Sequence, residues 1–551
     1  MTHTCTLPRS NQVPLISRHE WRRVIIFALI VMLVTALPYL LGALLSTPQQ
    51  IFGGLLIGLE DQYSYLAKMV QGAHGEWLFH LPYTSTTHPG IFLYTFYLLL
   101  GKLSMLLGMS YPGMYHLARV VLGFICLLVI YRFIAEFVAS KAIRFIAFAL
   151  VVLAGGPGWI AFLLGQPTIL DSLPLEYILP EGFTFLMLYT LPHLLLARAL
   201  LLLGAIGVWR AGQSGSIKLA LGAGVLWLLM SIIQPIYAAS VLVIAALMFL
   251  SRSIVSRQIV WTQARAGLIA GAMAVPMVIY VLLVFNSDPT YRPWSQTAIT
   301  SPGPALYLLS YGLPLLFAIG GLVYLLRRHN AGLLFLMLWA GVTPFLVYAP
   351  TNAQRRLIES WQIPLSVLAA YGLVRFVLLP LRRIHARRAW RYSMQKLEHV
   401  LITLLIVLLL PTYIIMFFWH IGTALTHWPP LFQSSSLVAT ADWLEHNASY
   451  ADGVLAAYTT GTIIPARAPV RVMLGHPSET VYIDDRKAEV LRFFDAGTTD
   501  NWRRELLTRL NLDYVWYGPD ERALGPYNPA HTPFLRQVFS AGNVQLYKVE
   551  P

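Results

Sequence analysis

The chain is dominated by apolar stretches of about 20 residues, separated by short polar segments. A helix rises 1.5 Å per residue, so a stretch of this length crosses the roughly 30 Å hydrocarbon core of a bilayer. Backbone groups in lipid must bond within their own segment, so each stretch predicts a helix. The pattern predicts an all-α bundle of about eleven transmembrane helices, near residues 24–46, 113–137, 142–164, 185–208, 217–233, 235–251, 266–285, 304–326, 331–349, 361–380 and 398–419.

One more apolar run, residues 91–109, closes the long segment after the first span. Lys and Arg concentrate in cytoplasmic loops, so the loop cations indicate whether this run crosses. If it does not cross, the basic N-terminal tail and the most basic loops share one side. We therefore interpret 91–109 as a juxtamembrane or re-entrant helix on the outer surface of the cell membrane, with the N-terminus cytoplasmic. The cytoplasmic cations are then Arg18, Arg22, Arg23, Lys141, Arg144, Arg210, Lys218, Arg252, Arg257, Arg265, Arg327, Arg328, Arg382, Arg383, Arg387, Arg388, Arg391 and Lys396.

From about residue 430 the pattern becomes that of a soluble domain. Amphipathic helices are predicted at 439–447, 484–497 and 501–510, and strands at 453–458, 468–474, 512–519 and 544–550. This alternation predicts a small extracytoplasmic α/β domain at 430–551, after a membrane-embedded domain at 1–425. The segment has no glycine-rich phosphate loop and no nucleophile triad, so we expect it to have a structural or acceptor-positioning role.

Composition supports the membrane interpretation. Hydrophobic residues make up 57% of the chain and charged residues 12%, against about a quarter charged in a soluble domain. The net charge of +14 lies mainly in short gaps between apolar runs, which indicates membrane orientation rather than a nucleic-acid surface. The two cysteines, Cys5 and Cys126, suggest no disulfide, metal or redox motif.

The candidate chemistry lies in polar residues on the predicted outer side. Asp61, Tyr65 and Lys68 have helical spacing just beyond the first span. A carboxylate can take a proton from a hydroxyl, and arginines can neutralise a phosphate leaving group. The same acids also suit a solvated loop helix whose N-terminus they stabilise. Further candidates are Glu60, His88, His116, Arg119, Asp171, Glu176, Glu181, His193, Arg198, Arg355 and Arg356.

Four features follow the first span in order: Asp61 with Tyr65, the dipeptide His88-Pro89, the apolar run 91–109, and Arg119. Their order and spacing resemble the lipid-dependent glycosyltransferases of the GT-C superfamily, such as protein O-mannosyltransferases and the lipid A aminoarabinose transferase. Those proteins carry an acidic pair with an aromatic residue, a basic-Pro-Pro turn, a juxtamembrane helix and a span that opens with an Arg. The resemblance covers residues 24–165.

The chain departs from that pattern at two places. Gln62 stands where the second acid is usual, with Glu60 on the other side of Asp61. Gly90 replaces the second proline. The resemblance therefore leaves open whether a divalent metal ion serves as a cofactor.

The resemblance implies transfer of a sugar from a polyprenyl-phosphate donor to a glycan, lipid or protein acceptor on the outer face. Asp61, with Glu60 beside it, would be the general base for direct displacement, which inverts the anomeric carbon. The lipid tail would lie in a groove between spans. The substrate-binding residues so implied are Tyr65, His88, Arg119, Glu181, His193, Arg355 and Arg356.

Two other functions use the same residues. A transporter or flippase of a lipid-linked or anionic solute would use the buried charges as a pathway, and a membrane scaffold would only present the C-terminal domain. Transporters often have two matching halves with broken helices. This sequence has no such repeat, and the long first outer segment has no later counterpart. Replacement of Asp61 by Asn distinguishes an enzyme, which loses turnover, from a scaffold.

Overall fold

The computed structural model describes residues 16–295, 298–388 and 393–550, so Cys5 and Arg391 lie outside the described residues. The helices are α1 Arg18–Leu44, α2 Leu59–Ala73, α3 Thr95–Leu107, α4 Tyr111–Phe137, α5 Lys141–Leu153, α6 Gly158–Leu163, α7 Leu175–Ile178, α8 Thr184–Thr190, α9 Pro192–Ser214, α10 Ile217–Ile233, α11 Tyr237–Ser256, α12 Trp261–Ser287, α13 Tyr291–Ser295, α14 Pro304–Leu325, α15 Ala331–Leu346, α16 Gln362–Leu373, α17 Leu379–Arg388, α18 Met394–Leu409, α19 Pro411–Leu425, α20 Ser435–Asn447, α21 Tyr458–Ile463, α22 Ile483–Phe494, α23 Asp500–Arg509 and α24 Pro519–Leu524. The strands are β1 Gln50–Phe52, β2 Phe432–Ser434, β3 Gly453–Leu455, β4 Arg471–Val472, β5 Tyr514–Tyr517, β6 Leu535–Ala541 and β7 Val544–Val549.

The predicted all-α membrane bundle is confirmed, and the protein is a multi-pass membrane protein. Within the described residues eight helices are long and apolar enough to cross a bilayer, and α18 with α19, bent by 50°, makes a ninth if the pair is one span. The remaining two predicted spans form α10 and α15, which have only 17 and 16 residues. The eight long candidate spans are Arg18–Leu44, Tyr111–Phe137, Lys141–Leu163, Pro192–Ser214, Tyr237–Ser256, Trp261–Ser287, Pro304–Leu325 and Gln362–His385. Of these, Lys141–Leu163 comprises α5 and α6, and Gln362–His385 comprises α16 and most of α17.

The apolar run 91–109 contains α3, a helix of 13 residues. At 1.5 Å per residue it extends only about 20 Å, which favours a surface helix over a span. Helix α3 packs backbone to backbone on α2. A Cβ added to Gly101 of α3 would lie 1.8 Å from the Met69 carbonyl oxygen, and a Cβ added to Gly72 of α2 would lie 2.0 Å from the Leu98 carbonyl oxygen. This close crossing holds α2 and α3 together.

Charges within the bundle are partnered. Arg198 and Glu359 form a fully buried ion pair, with Nε and Oε1 2.6 Å apart. The Tyr237 hydroxyl donates to Glu359 at 2.7 Å, and Arg198 donates to the Thr184 hydroxyl at 2.9 Å. These contacts offset the cost of placing both ions at membrane depth, so the pair ties α9 to the segment before α16.

The C-terminal segment forms a five-stranded mixed sheet in the order β4-β3-β5-β7-β6. Strand β3 is parallel to β4 and β5, while β7 is antiparallel to β5 and β6. All four predicted strands and all three predicted helices are present, which confirms the predicted small α/β fold. The sequence pattern did not indicate β6, of whose seven side chains only Leu535 is buried, or the short helices α21 and α24.

The segment between α1 and α3 is built into this C-terminal fold. Strand β1, just after α1, pairs antiparallel with β2 at the start of the C-terminal segment. The Val472 backbone N–H donates to the Pro82 carbonyl at 2.9 Å, and the buried Tyr83 hydroxyl donates to the Thr462 carbonyl at 3.1 Å. The C-terminal domain therefore packs directly against the segment that carries α2.

We expect the two ends of the bundle to differ in access to an impermeant thiol reagent. The exposed Ser449, in the C-terminal domain, and the exposed Ser256, the last residue of α11, are each changed to Cys in a Cys5→Ser background. The positive-inside distribution predicts that intact cells label Ser449→Cys and leave Ser256→Cys unlabelled until the membrane is permeabilised. The reverse labelling pattern would overturn the orientation proposed from the loop cations.

Candidate active site

The site begins at the first turn of α2. Gly58 precedes this helix with φ of +61°, a left-handed conformation that glycine adopts readily. Glu60 and Asp61 then lie in the first helical turn, where the helix dipole stabilises negative charge. The Asp61 side chain is 70% exposed and lines a cavity between α2 and the bundle.

A histidine from the C-terminal domain contacts this carboxylate. His476 Nε2 lies 3.1 Å from Asp61 Oδ1. The other ring nitrogen, Nδ1, accepts the Ser478 backbone N–H at 3.3 Å. Because Nδ1 accepts, the hydrogen-bond pattern assigns the proton to Nε2, which donates to Asp61.

The electrostatic surroundings favour an ionised Asp61. Partial burial among protein atoms raises the pKa of the carboxyl group, but the hydrogen bond from His476 acts in the opposite direction. The positive charges of Arg356 and Lys68 add to this effect, so the pKa lies below its ordinary value. Asp61 is therefore a carboxylate at neutral pH, able to accept a proton.

A buried charge cluster lies on the same face of α2. Lys68 Nζ is 2.7 Å from Glu479 Oε1, and both side chains are almost fully buried. The Ser64 hydroxyl donates to the same carboxylate oxygen at 2.6 Å and also contacts Lys68. The ammonium group also lies 4.1 Å from the centre of the Tyr94 ring. This cluster joins α2 to the loop that carries His476.

Aromatic side chains form the wall towards the bundle. The rings of Tyr65 and Tyr97 are stacked, with centroids 4.5 Å apart. The Tyr97 hydroxyl lies 2.6 Å from His193 Nδ1 in the first turn of α9, and the His193 ring is 5.1 Å from that of Tyr65. The predicted site residues Tyr65 and His193 therefore meet beside Asp61.

The predicted arginine pair follows α15, in the short helical turn 354–358. Arg356 is about one third exposed, and its Nε lies 3.8 Å from Oε1 of the buried Glu181. The Glu181 carbonyl accepts an N–H of Arg198 at 2.7 Å. Glu181 thus connects Arg356 to the buried Arg198–Glu359 pair. The neighbouring Arg355 is half-buried.

Two predicted binding residues use their polar groups internally. His88 accepts the Leu81 backbone N–H at 2.8 Å through Nε2, and its Nδ1 lies 2.7 Å from the Thr86 carbonyl. The fully buried Arg119 donates to Thr35, the Leu188 carbonyl and His116. His88 therefore holds the turn before α3, and Arg119 ties α4 to α1 and α8.

The other acidic candidates are dispersed. Glu60 accepts a hydrogen bond from the Tyr458 hydroxyl of the C-terminal domain and lies on the rim. Glu176 is buried and accepts the Gly158 backbone N–H at 2.8 Å. Asp171 lies in an exposed loop with φ of +59°. Among these three, only Glu60 neighbours Asp61.

An apolar cavity of about 690 Å³ lies beside Asp61. Its walls come from the loop before α2, from α8 and from α19, and Asp61 and Gln62 are among its few polar lining residues. Trp419 on α19 lines the cavity and is 62% exposed. Since α19 belongs to a candidate span, the cavity has a wall that faces lipid. Other lining residues are Phe162, Tyr177, Leu186, Met416 and Trp428.

Metal binding was left open by the sequence. In the described part of the chain, no three or more His, Cys, Asp or Glu residues are grouped so that they could hold a metal ion. Near Asp61 the second acid usual in the resembled motif is replaced by Gln62, whose amide donates to the Ile57 carbonyl.

The sequence analysis missed His476, Glu479 and Tyr458. All three belong to the C-terminal domain, and His476 is 415 positions from Asp61 along the chain. The available signal was the polar run Gly-His-Pro-Ser-Glu-Thr at 475–480, directly after a predicted strand. Nothing in the local pattern indicates which partner this run contacts.

Solved membrane glycosyltransferases have a similar structure. The Archaeoglobus fulgidus oligosaccharyltransferase in the apo form has a TM-score of 0.52 at 14% identity, over 91% of this chain and 70% of that one. The same protein, tethered with an acceptor peptide containing the NVT sequon, has a TM-score of 0.51 at 13% identity, over 91% and 69%. The arabinofuranosyltransferase AftD from Mycobacteria has a TM-score of 0.51 at 16% identity, over 96% of this chain and 42% of that one.

The chain therefore has the fold of GT-C membrane glycosyltransferases, as the resemblance of residues 24–165 predicted. The similarity extends over nearly the whole chain and includes the C-terminal domain. At 13–16% identity it establishes the fold alone. No protein-family profile and no curated protein sequence matches the chain.

Proposed function

We propose that the protein is a glycosyltransferase that moves a sugar from a polyprenyl-phosphate donor to an acceptor hydroxyl on the outer face of the membrane. The observation that carries this proposal is the position of Asp61. An ionised carboxylate lines an apolar cavity, is stabilised by the positive charge of Arg356, and lies where the membrane bundle meets the C-terminal domain. Such a junction suits a substrate with a long apolar tail and a charged, sugar-bearing head.

The apolar cavity is the proposed site of the lipid tail. Its walls are almost entirely hydrophobic and aromatic, and one of them faces lipid. A polyprenyl chain can enter from the bilayer without exposure to water, which burial of apolar area favours. The tail then directs the phosphate and the sugar towards Asp61.

Asp61 is the proposed general base. Its carboxylate takes the proton of the acceptor hydroxyl while the acceptor oxygen forms a bond to the anomeric carbon. The bond between that carbon and the phosphate oxygen breaks, and polyprenyl phosphate leaves with the electron pair. Attack from the face opposite the leaving group inverts the anomeric carbon. The proton ends on Asp61, so the step balances.

Arg356 is the proposed principal contact of the donor phosphate, with Arg355 beside it. The negative charge that grows on the leaving phosphate needs a fixed cation in a site of low water content. Glu181 orients Arg356, while Tyr65 and His193 shape the wall near the sugar. His88 and Arg119 are left out of this proposed site because their hydrogen-bonding groups are used by the backbone and by other side chains.

The transferase is tested with purified protein in lipid nanodiscs and polyprenyl-phosphate glucose, mannose and arabinose, each tritiated in the sugar. A total lipid and glycan extract serves as the acceptor pool. We expect one donor to be converted to free polyprenyl phosphate with transfer of label to the extract. A flippase would instead move intact labelled donor across the membrane of sealed vesicles. Movement without bond cleavage would contradict the transferase proposal.

We expect the double variant Arg355→Gln/Arg356→Gln to bind polyprenyl phosphate at least tenfold more weakly. A hydrogen bond between charged partners contributes about 1.5–3 kcal/mol, and 1.4 kcal/mol corresponds to a factor of ten in affinity. Titration calorimetry in nanodiscs measures the change. The control is Arg292→Gln, an exposed arginine between α12 and α14. Unchanged affinity in the double variant would indicate that the pair anchors lipid headgroups instead.

A further inference from the structure

We propose, on the basis of the transferase proposed above, that the C-terminal domain is part of the catalytic site. In this proposal His476 is a positioning residue that orients the Asp61 carboxylate towards the acceptor hydroxyl. The buried Lys68–Glu479 pair fixes the loop that carries His476. The domain therefore acts in the chemistry itself, beyond any role in holding an acceptor.

The geometry of the Asp61 carboxylate supports this role of His476. His476 donates to Oδ1 alone, at 3.1 Å. Among the described residues Oδ2 accepts no hydrogen bond, and the side chain, which lines the cavity, is 70% exposed. One oxygen is thus held and the other is free to accept a proton. A general base needs this arrangement, because its free oxygen must lie within hydrogen-bond reach of the proton that it removes.

Internal hydrogen bonds hold the loop 475–482 in one conformation. The Gly475 backbone N–H donates to the Thr480 hydroxyl at 3.1 Å, and the Thr480 N–H donates to the His476 carbonyl at 3.0 Å. The Ser478 backbone N–H donates to Nδ1 of His476 and so fixes the orientation of the ring. The loop is therefore closed on itself and presents the imidazole in one orientation.

Buried contacts also fix this loop to α2. Glu479, three residues after His476, is buried against Ser64 and Lys68, which lie about one and two helical turns after Asp61 on α2. Gly475 packs against Tyr83, where an added Cβ would lie 2.4 Å from the ring. Asp61 lies on α2 and His476 on the loop 475–482. Separation of these two elements would expose the buried Lys68–Glu479 ion pair.

The hydrogen bond from His476 also affects ionisation. Burial raises the pKa of Asp61, and His476 is the first of the groups that lower it. Loss of His476 therefore raises the pKa, so Asp61 becomes protonated at a higher pH than in the natural protein. A protonated Asp61 cannot act as a base, and the low-pH limb of kcat/KM must move to higher pH. The charged and titratable groups around Asp61 are His476, Arg356, Lys68, Tyr65, Tyr94, Tyr115 and His193.

The test compares His476→Ala with His476→Gln, which retains a side-chain N–H donor. The exposed His446→Ala, elsewhere in the C-terminal domain, is the control. With the tritiated donors, we expect His476→Ala to lose roughly a hundredfold in kcat/KM at neutral pH, because a misplaced catalytic group costs about that much. Its low-pH limb should move to higher pH. His476→Gln should recover most of the rate, and His446→Ala should match the natural protein.

A second measurement needs no turnover. Carbodiimide modifies carboxyl groups in their protonated form, and tandem mass spectrometry resolves label on Asp61 from label on Glu60. We expect labelling of Asp61 to persist to higher pH in His476→Ala than in the natural protein. Identical labelling titrations in a folded variant would overturn the positioning role, whether or not any donor turns over.

The outcomes separate this proposal from the proposed function. If Asp61→Asn is inactive while His476→Ala keeps the natural rate and pH limb, the positioning role is wrong and the transferase stands. If His476→Ala loses rate equally at every pH and His476→Gln does no better, the domain is only structural and the proposal is wrong. If the labelling titration shifts but no donor is cleaved, the coupling stands and the transferase proposal fails.

Discussion

Asp61→Asn is expected to lower sugar transfer by about 10²- to 10⁴-fold, the usual contribution of a general base. An acceptor hydroxyl is a poor nucleophile at neutral pH, and Asn keeps the shape of Asp but cannot take its proton. Asn retains an oxygen that can accept the hydrogen bond of His476, so expression and binding of polyprenyl phosphate should change little. Transfer of tritiated sugar under single-turnover conditions measures the loss.

Glu60→Gln is the matched control, because Glu60 is the neighbouring acid and contacts Tyr458 on the rim of the site. We expect it to retain most activity. An inactive Glu60→Gln beside an active Asp61→Asn would move the base by one residue. If both variants keep full transfer, the base is elsewhere, and Asp171, Glu176 and Glu181 become the next candidates. Of these, Glu181 is nearest to the proposed phosphate site, through its contact with Arg356.

Lys68→Met is expected to destabilise the protein by about 3–5 kcal/mol, the usual cost of removing one partner of a buried ion pair. The change leaves the Glu479 carboxylate buried without its cation. Burial raises the pKa of Glu479, but the charge of Lys68 and the hydrogen bonds from Lys68 and Ser64 outweigh this effect, so the pKa in the folded protein is below the ordinary value. The pair therefore stabilises the protein above the unfolded pKa of Glu479, near 4.5, and this stabilisation is lost as the pH falls.

Reversible unfolding in mixed detergent micelles measures the free energy of unfolding of these variants. The double variant Lys68→Met/Glu479→Leu removes both charges and should be far more stable than Lys68→Met alone. The exposed Lys218→Met serves as a control and should change stability by less than about 0.5 kcal/mol. Equal stability of Lys68→Met and the natural protein would show that the cluster does not hold the C-terminal domain to α2.

Much of the fold could be predicted because lipid imposes a local rule. Each apolar run of sufficient length must form a helix, whatever its neighbours are. The eleven predicted spans therefore coincide with helices, although α10 and α15 are shorter than the eight long ones. Sheet order in the C-terminal domain could not be read in this way, because strand pairing depends on contacts between distant residues. Strand β6, with a single buried side chain among its seven residues, has too weak an apolar pattern to be recognised.

The candidate site was predicted in part. Asp61 and Tyr65 could be found because they lie on one helix next to the first span, so local spacing places them together. His193 and Arg356 were predicted because they are ionisable groups near the predicted outer ends of spans. Ionisable groups are costly at membrane depth, so their presence there indicates a functional site. The same cue selected Arg119, which the tertiary structure uses as a tie between α1, α4 and α8. Residue type alone does not separate a substrate contact from a buried structural cation.

The sequence by itself determined the membrane bundle, the soluble C-terminal α/β domain and the acid after the first span. Each of these follows from short-range physics: the thickness of the bilayer, the period of a helix, and the preference of carboxylates for helix N-termini. Only the tertiary structure decided that His476 and Glu479 reach Asp61 and Lys68 across more than 400 positions. The reason is physical: such contacts depend on how the folded domains pack, and no periodicity within either segment specifies that packing.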